Sequence, residues 1–276
     1  WYNKGLVFSN LGRYEEALPC YEEAIKIQPG NEDVWFSKGA VFKDLGRYEE
    51  ALSCYDKAIE IYPEYANAWF NKGFVLGNLY RSEEAISCYN KGLEIKPDSM
   101  YAWHSKGWNL DNLNRHEEAL YCYDKGLGIA PNDILLLLDK GLLLDKLSKF
   151  KEAISIYEKV LEIEPNNTNA WYRRGLDLGS IDKNKEANSC FERLLEINPK
   201  LVDAWIGKGW NLSIQSKFDE AISCYEEGLK IDPKDVQAWY SKGSTLSNMG
   251  RNDEAISCFD TVLQIDPERL DAMFSK

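Results

Sequence analysis

Four pairs of consecutive glutamates, Glu15-Glu16, Glu49-Glu50, Glu83-Glu84 and Glu117-Glu118, are the first candidates for acid–base chemistry. Two carboxylates that act on one bond must face each other across it. Neighbouring positions on a helix point in different directions, so these pairs cannot bracket a bond. Their place is the first turn of a helix, where carboxylates complement the positive end of the dipole. His104 and His116 are the two histidines. Neither has a Cys or carboxylate cluster at ligand spacing, so no metal site and no cofactor are expected. No Ser-His-Asp order, phosphate-cradling glycine loop or zinc-protease helix is present. The residues predict no catalytic centre, and the chain is not expected to be an enzyme.

Seven cysteines invite a disulfide framework, but Cys20, Cys54, Cys88, Cys122, Cys190, Cys224 and Cys258 share one phase of a longer period, with Ile156 in the remaining place. Equivalent positions on stacked helices lie roughly 8–10 Å apart or more, beyond the roughly 7 Å Cα limit for a bridge. They are expected to be reduced apolar fillers, which implies a reducing, cytoplasmic setting. A cation occupies another phase at Lys4, Lys38, Lys72, Lys106, Lys140, Arg174, Lys208, Lys242 and Lys276. It is either a ladder for an acidic ligand or a set of stems that cover apolar surface and reach carboxylates on adjacent helices. Nine uniform repetitions favour the second reading.

The elements that position these residues follow from a period of 34. Pro29, Pro63, Pro97, Pro131, Pro165, Pro199, Pro233 and Pro267 mark it, each 34 residues after the last. Tryptophan keeps the same step at Trp1, Trp35, Trp69, Trp103, Trp171, Trp205 and Trp239, with Leu137 substituting once, and glycine and alanine series run beside it. Within Glu32 to Tyr65 the apolar spacing predicts one helix from about Asp33 to Leu45, a break at Gly46-Arg47, and a second helix from near Tyr48 that stops at Pro63. Short links make such helices antiparallel neighbours. Small residues at Gly39 and Ala51 let the two axes approach, so that Trp35 and Tyr55 wedge around the crossing. One hairpin cannot bury all this surface alone, so the hairpins must stack.

This pattern resembles the tetratricopeptide repeat (TPR) family. Trp35, Gly39, Phe42, Gly46, Tyr48, Ala51, Tyr55, Ala58 and Pro63 match its series, and the resemblance runs through the whole chain. It implies an all-α fold, a right-handed superhelical solenoid of antiparallel helix hairpins forming one array over 1–276. Its repeats would be 1–31 (partial), 32–65, 66–99, 100–133, 134–167, 168–201, 202–235, 236–269 and 270–276 (partial). Neither end shows a polar capping helix, so the chain is expected to be part of a longer protein, with self-association promoted around Trp1 and Phe274. Gly92, Gly126 and Gly228 stand where alanine is usual, and Asn184 and Asn188 replace an aromatic and an apolar residue. The sixth repeat is therefore expected to pack most loosely.

The resemblance also implies a non-enzymatic scaffold that binds a peptide or protein segment on its inner face, lined by the first helix of each repeat. Residues in phase with Asp33, Phe36, Ala40, Lys43 and Asp44 would face the ligand. Some rings in these phases, Phe36 and Phe70 among them, are equally placed to pack between repeats. The candidate binding residues are Tyr101, His104, Trp108, Asn112, Leu135, Leu138, Leu142, Tyr172 and Trp210, with the apolar stretch from Tyr101 to Leu142 as the hot spot. The clamp for acidic chaperone tails is not expected, because its basic positions here hold rings, aliphatics and Asp, with Lys43, Lys146 and Arg173 scattered. Alternatives are the substrate-recognition part of a larger enzyme, such as a glycosyltransferase, and a self-assembling architectural rod.

Composition bounds the partner. The 45 acidic residues exceed the 33 basic ones, for a formal charge of -12. Such a surface repels phosphate backbones, so no nucleic-acid partner is expected and a neutral or basic one fits better. No apolar run nears the roughly 18 residues that span a bilayer, so no membrane association is expected.

Overall fold

The computed structural model describes residues 1–267, and among these it contains sixteen α-helices and no strand. They alternate as first and second helices of successive hairpins: α1 (Tyr2–Asn10) with α2 (Tyr14–Ile27), α3 (Glu32–Asp44) with α4 (Tyr48–Ile61), α5 (Ala66–Asn78) with α6 (Ser82–Ile95), and α7 (Met100–Asn112) with α8 (His116–Ile129). The series continues with α9 (Ile134–Lys146) and α10 (Phe150–Ile163), α11 (Thr168–Ser180) and α12 (Asn184–Ile197), α13 (Val202–Ile214) and α14 (Phe218–Ile231), and α15 (Val236–Asn248) and α16 (Asn252–Ile265). The chain divides within α9 into two compact halves, 1–136 and 137–276. Each half is an all-α stack in which a second helix packs on the first helix of the next repeat. Phe274, expected to promote self-association, and Lys276, the last of the cation series, lie outside the described residues, and Trp1 is exposed.

Each first helix ends in the same way. The second residue after it takes a left-handed conformation at Gly12, Gly46, Tyr80, Asn114, Ser148, Asp182, Ser216 and Gly250, with φ between 57° and 76°. The following N–H then reaches back to a carbonyl five residues earlier, as from Arg47 to Phe42 and from Lys149 to Leu144. This closes the last turn and reverses the chain. Glycine does so without a Cβ penalty, whereas the other five residues adopt a backbone that L side chains disfavour.

Packing between the paired helices depends on the missing glycine side chain. A Cβ on Gly39 would stand 2.8 Å from the Tyr55 ring, and one on Gly107 2.5 Å from Tyr123. Tyr21, Tyr55, Tyr89, Tyr123, Tyr157 and Tyr225, which share this phase, are fully buried as a result. The tryptophans tie each repeat to the proline before it. Trp35, Trp69, Trp103, Trp171 and Trp239 donate their indole N–H to the carbonyls of Pro29, Pro63, Pro97, Pro165 and Pro233 at 2.8–2.9 Å. Leu137 has no such donor and is buried instead.

Several sequence expectations resolve here. The cations reach carboxylates sixteen residues earlier, on the preceding second helix: Lys38 to Glu22 (3.1 Å), Lys72 to Asp56 (2.5 Å), Arg174 to Glu158 (2.8 Å), Lys208 to Glu192 (3.0 Å) and Lys242 to Glu226 (2.8 Å). The structural reading of that series holds. All seven cysteines are free and buried, and burial pushes the thiols of Cys54, Cys88 and Cys122 up to about 11. Gly92 makes room for the Phe70 ring and Gly126 for Leu136, so Phe70 is a packing residue. Phe36 stacks on Tyr55 and Tyr65, with centroids 5.8 and 5.1 Å away.

The sixth repeat, expected to pack most loosely, accommodates its departures as follows. Asn188 accepts a hydrogen bond from Asn211 Nδ2 at 2.7 Å, so a polar pair fills the place of the missing apolar side chain. Phe191, fully buried, lies against both Gly175 and Gly207.

Candidate binding face between first helices

Successive first helices touch within each half, and shallow clefts open between them. In the N-terminal half one cleft lies between α1 and α3, where Leu6, Asn10, Phe36, Ala40 and Asp44 meet. A second, of about 230 Å³, lies between α5 and α7, with Phe74, Asn78, His104 and Trp108 on its walls and Gly77 and Asn109 deeper. In the C-terminal half a cleft between α13 and α15 is lined by Trp210, Tyr240, Ser244 and Asn248 among others. These residues belong to the phases that the resemblance assigns to the ligand-facing side.

The individual candidates fall as follows. Trp108 is 45% exposed and Tyr101 46%, with the Tyr101 ring 6.5 Å from that of Phe74. His104 lies between them in sequence and packs its ring 5.9 Å from Tyr123. Asn112 and Leu135 are exposed. Leu138, Leu142 and Tyr172 are half-buried, Tyr172 resting edge-on against Phe191 at 6.2 Å. Trp210 is 39% exposed. The stretch expected as one hot spot is thus divided: Tyr101 to Leu135 belong to the N-terminal half, Leu138 and Leu142 to the C-terminal half. Of the named set, His104 and Trp108 line one described cleft, and Tyr101 stands beside its Phe74 wall.

Sequence reading passed over a set of buried polar residues beside this face. The phase that holds Val41, Val75 and Leu143 carries Asn109, Asp177, Asn211 and Thr245 elsewhere, each no more than 3% exposed. Asn109 Nδ2 donates to the Ser105 carbonyl at 2.8 Å, while its Oδ1 has no partner. Asn211 Nδ2 donates to the Asn184 carbonyl and to Asn188, and its Oδ1 is likewise unpartnered. A Cβ on Gly77 would stand 3.1 Å from Asn109 Oδ1, and one on Gly179 3.1 Å from Asn211 Oδ1. The signal is visible in the sequence as Gly-Trp-Asn-Leu at 107–110 and 209–212, each preceded by an extra glycine 32 residues before the asparagine.

A second polar cluster lies in the C-terminal half. Tyr157 donates to Asp145 Oδ2 at 2.7 Å. Asp177 is 3% exposed, and burial together with the neighbouring Asp145 pushes its carboxyl up to about 8, against the pull of Arg173. Burial also raises Asp145. Elsewhere His116 Nδ1 lies 3.0 Å from Asp111 Oδ1. Among the described residues no three His, Cys, Asp or Glu side chains gather as metal ligands, and no helix is long and apolar enough to cross a membrane.

The sequence matches models of the tetratricopeptide repeat over residues 1–31, 20–53, 39–79, 66–99, 101–133, 136–167, 202–235 and 224–257. This chain belongs to the tetratricopeptide repeat family. Its TPR architecture is shared with solved structures. One is YrrB, described as a TPR protein with an unusual peptide-binding site, at 25% identity and a TM-score of 0.60, covering 68% of this chain and 97% of YrrB. Another is the C-terminal part of a TPR repeat-containing protein from Cytophaga hutchinsonii, at 16% identity and a TM-score of 0.77, covering 87% of this chain and 99% of that one. A third is MamA from Desulfovibrio magneticus RS-1, at 21% identity and a TM-score of 0.54, with coverage of 61% and 96%. The last two bear on fold alone. No curated protein matches this TPR chain.

Proposed function

We propose that this TPR chain is a non-enzymatic scaffold that holds a peptide or protein segment against the first helices of its repeats. The observation that carries the reading is Trp108, a large ring left 45% exposed on the wall of the α5–α7 cleft while the repeat-invariant rings around it are packed. Half-exposed aromatics beside a shielded depression are the setting in which a few side chains dominate binding. The likeness to YrrB at 25% identity supports a peptide ligand. A net charge of -12 favours a neutral or basic partner over a nucleic acid, and seven free, buried thiols suit a reducing compartment. Affinity capture from native lysate tests the reading with Trp108→Ala and Leu138→Asp beside the unaltered chain. Both variants are expected to keep full helicity and lose the partner. Full capture by both would refute it.

A further inference from the structure

We propose that the α5–α7 cleft is a socket for an arginine side chain of the bound segment. This rests on the reading of the first-helix face as a peptide-binding surface and names the chemistry that one part of it selects. Three features of the cleft converge. Asn109 Oδ1 is an acceptor in a side chain only 2% exposed, with no partner of its own. A buried acceptor left unpaired carries a desolvation penalty that a donor from a ligand would relieve. Its amide nitrogen is already engaged with the Ser105 carbonyl, and the oxygen is the atom of the group left without a partner. Asn78, on the same wall, donates its Nδ2 to the Phe74 carbonyl at 2.9 Å and brings a second amide oxygen to the cleft.

Gly77 leaves a side chain's worth of space beside Asn109, since any side chain there would begin 3.1 Å from Oδ1. Gly77 and Asn78 also form the last turn of α5, whose carbonyl end carries partial negative charge. The exposed Trp108 indole supplies a flat wall. The cleft therefore presents acceptors, a helix C-terminus and an aromatic face, in a chain of net charge -12. A carboxylate has no donor to give the buried Asn109 acceptor. A guanidinium carries five donors and no acceptor, stacks flat on indole and is more weakly hydrated than an ammonium. A resident cation marks the same preference: Lys43 Nζ stands 5.6 Å over the Phe74 ring. Its charge is balanced by Asp44 at 3.3 Å, so it does not repel a second cation as a free lysine would. The recurrence of glycine, tryptophan and asparagine at Gly179, Trp210 and Asn211 shows that the three residues vary together rather than singly.

The test uses the intact chain and capped Gly-Ser octapeptides that carry one central arginine, lysine, citrulline or norleucine. Binding is followed by NMR through the Asn109 side-chain amide and the Trp108 indole N–H. The arginine peptide is expected to shift both signals and to bind roughly tenfold more tightly than the citrulline peptide, with lysine between and norleucine weakest. Asn109→Leu is expected to remove the arginine preference while the fold persists, since Val75 and Leu143 occupy the same phase. Gly77→Ala is expected to weaken arginine binding several-fold. Equal affinity for arginine and norleucine, unmoved Asn109 and Trp108 signals, or a preference that survives Asn109→Leu would overturn the socket. In those cases partner capture that still depends on Trp108 would leave the scaffold reading standing, so the two failures are distinguishable.

Discussion

Asp177 is the residue whose environment departs most from what its type suggests. A carboxyl 3% exposed, with Asp145 beside it, holds its proton up to about pH 8. In the unfolded chain an aspartate releases that proton near its ordinary value of about 3.9. Between these two values the folded state binds more protons than the unfolded one, so stability falls as pH rises from about 4 to about 8 and levels off beyond. Asp177→Asn keeps the shape and removes the titration. The variant is expected to be more stable than the parent at pH 7 and to lose this part of the pH slope, read from urea midpoints at several pH values. An unchanged slope would mean that the proton is not held. The glycines under the tyrosine rings make an opposite case at the same scale. Gly107→Ala would press a methyl into Tyr123 and is expected to cost about 1–3 kcal/mol in chemical denaturation.

At the scale of the helical hairpin, one turn conformation recurs eight times, at five positions with a residue other than glycine. Tyr80 is the clearest of these, 91% exposed and therefore without packing to lose. Tyr80→Gly relieves the left-handed backbone and is expected to stabilise the chain by about 1 kcal/mol, as a shift of the urea midpoint with no change in slope; a destabilised variant would contradict the strain. The hairpins themselves were legible in the sequence. The 34-residue step, Pro63 as a stop and Gly39 opposite Tyr55 place both helices to within one or two residues. Lys38 and its equivalents could be read as stems because the same cation recurs beside the same apolar stripe. What sequence could not supply was pairing between side chains from different hairpins. Asn188 reads as a defect in an apolar helix until Asn211 is found bonded to it. Phe70 looks like a ligand ring until Gly92 is found beneath it. Each is set by a neighbour about 22 or 23 residues away whose identity departs from the repeat in a compensating direction.

For the whole molecule, repetition divides the labour between residues. Those that recur from repeat to repeat make the fold: Trp103 donates its indole N–H to the Pro97 carbonyl, as its equivalents do to theirs. Those that differ are available for recognition, and Trp108, five positions further along the same helix, stands in the α5–α7 cleft. Binding should therefore be separable from folding by two tryptophans on one element. The most direct measurement compares Trp108→Ala with Trp103→Ala for partner affinity, at matched folded fraction, alongside the urea midpoint of each. The account predicts that Trp108→Ala loses the partner at an unchanged midpoint, whereas Trp103→Ala lowers the midpoint and binds normally once folded. Retained affinity in Trp108→Ala, with affinity lost in folded Trp103→Ala, would contradict it.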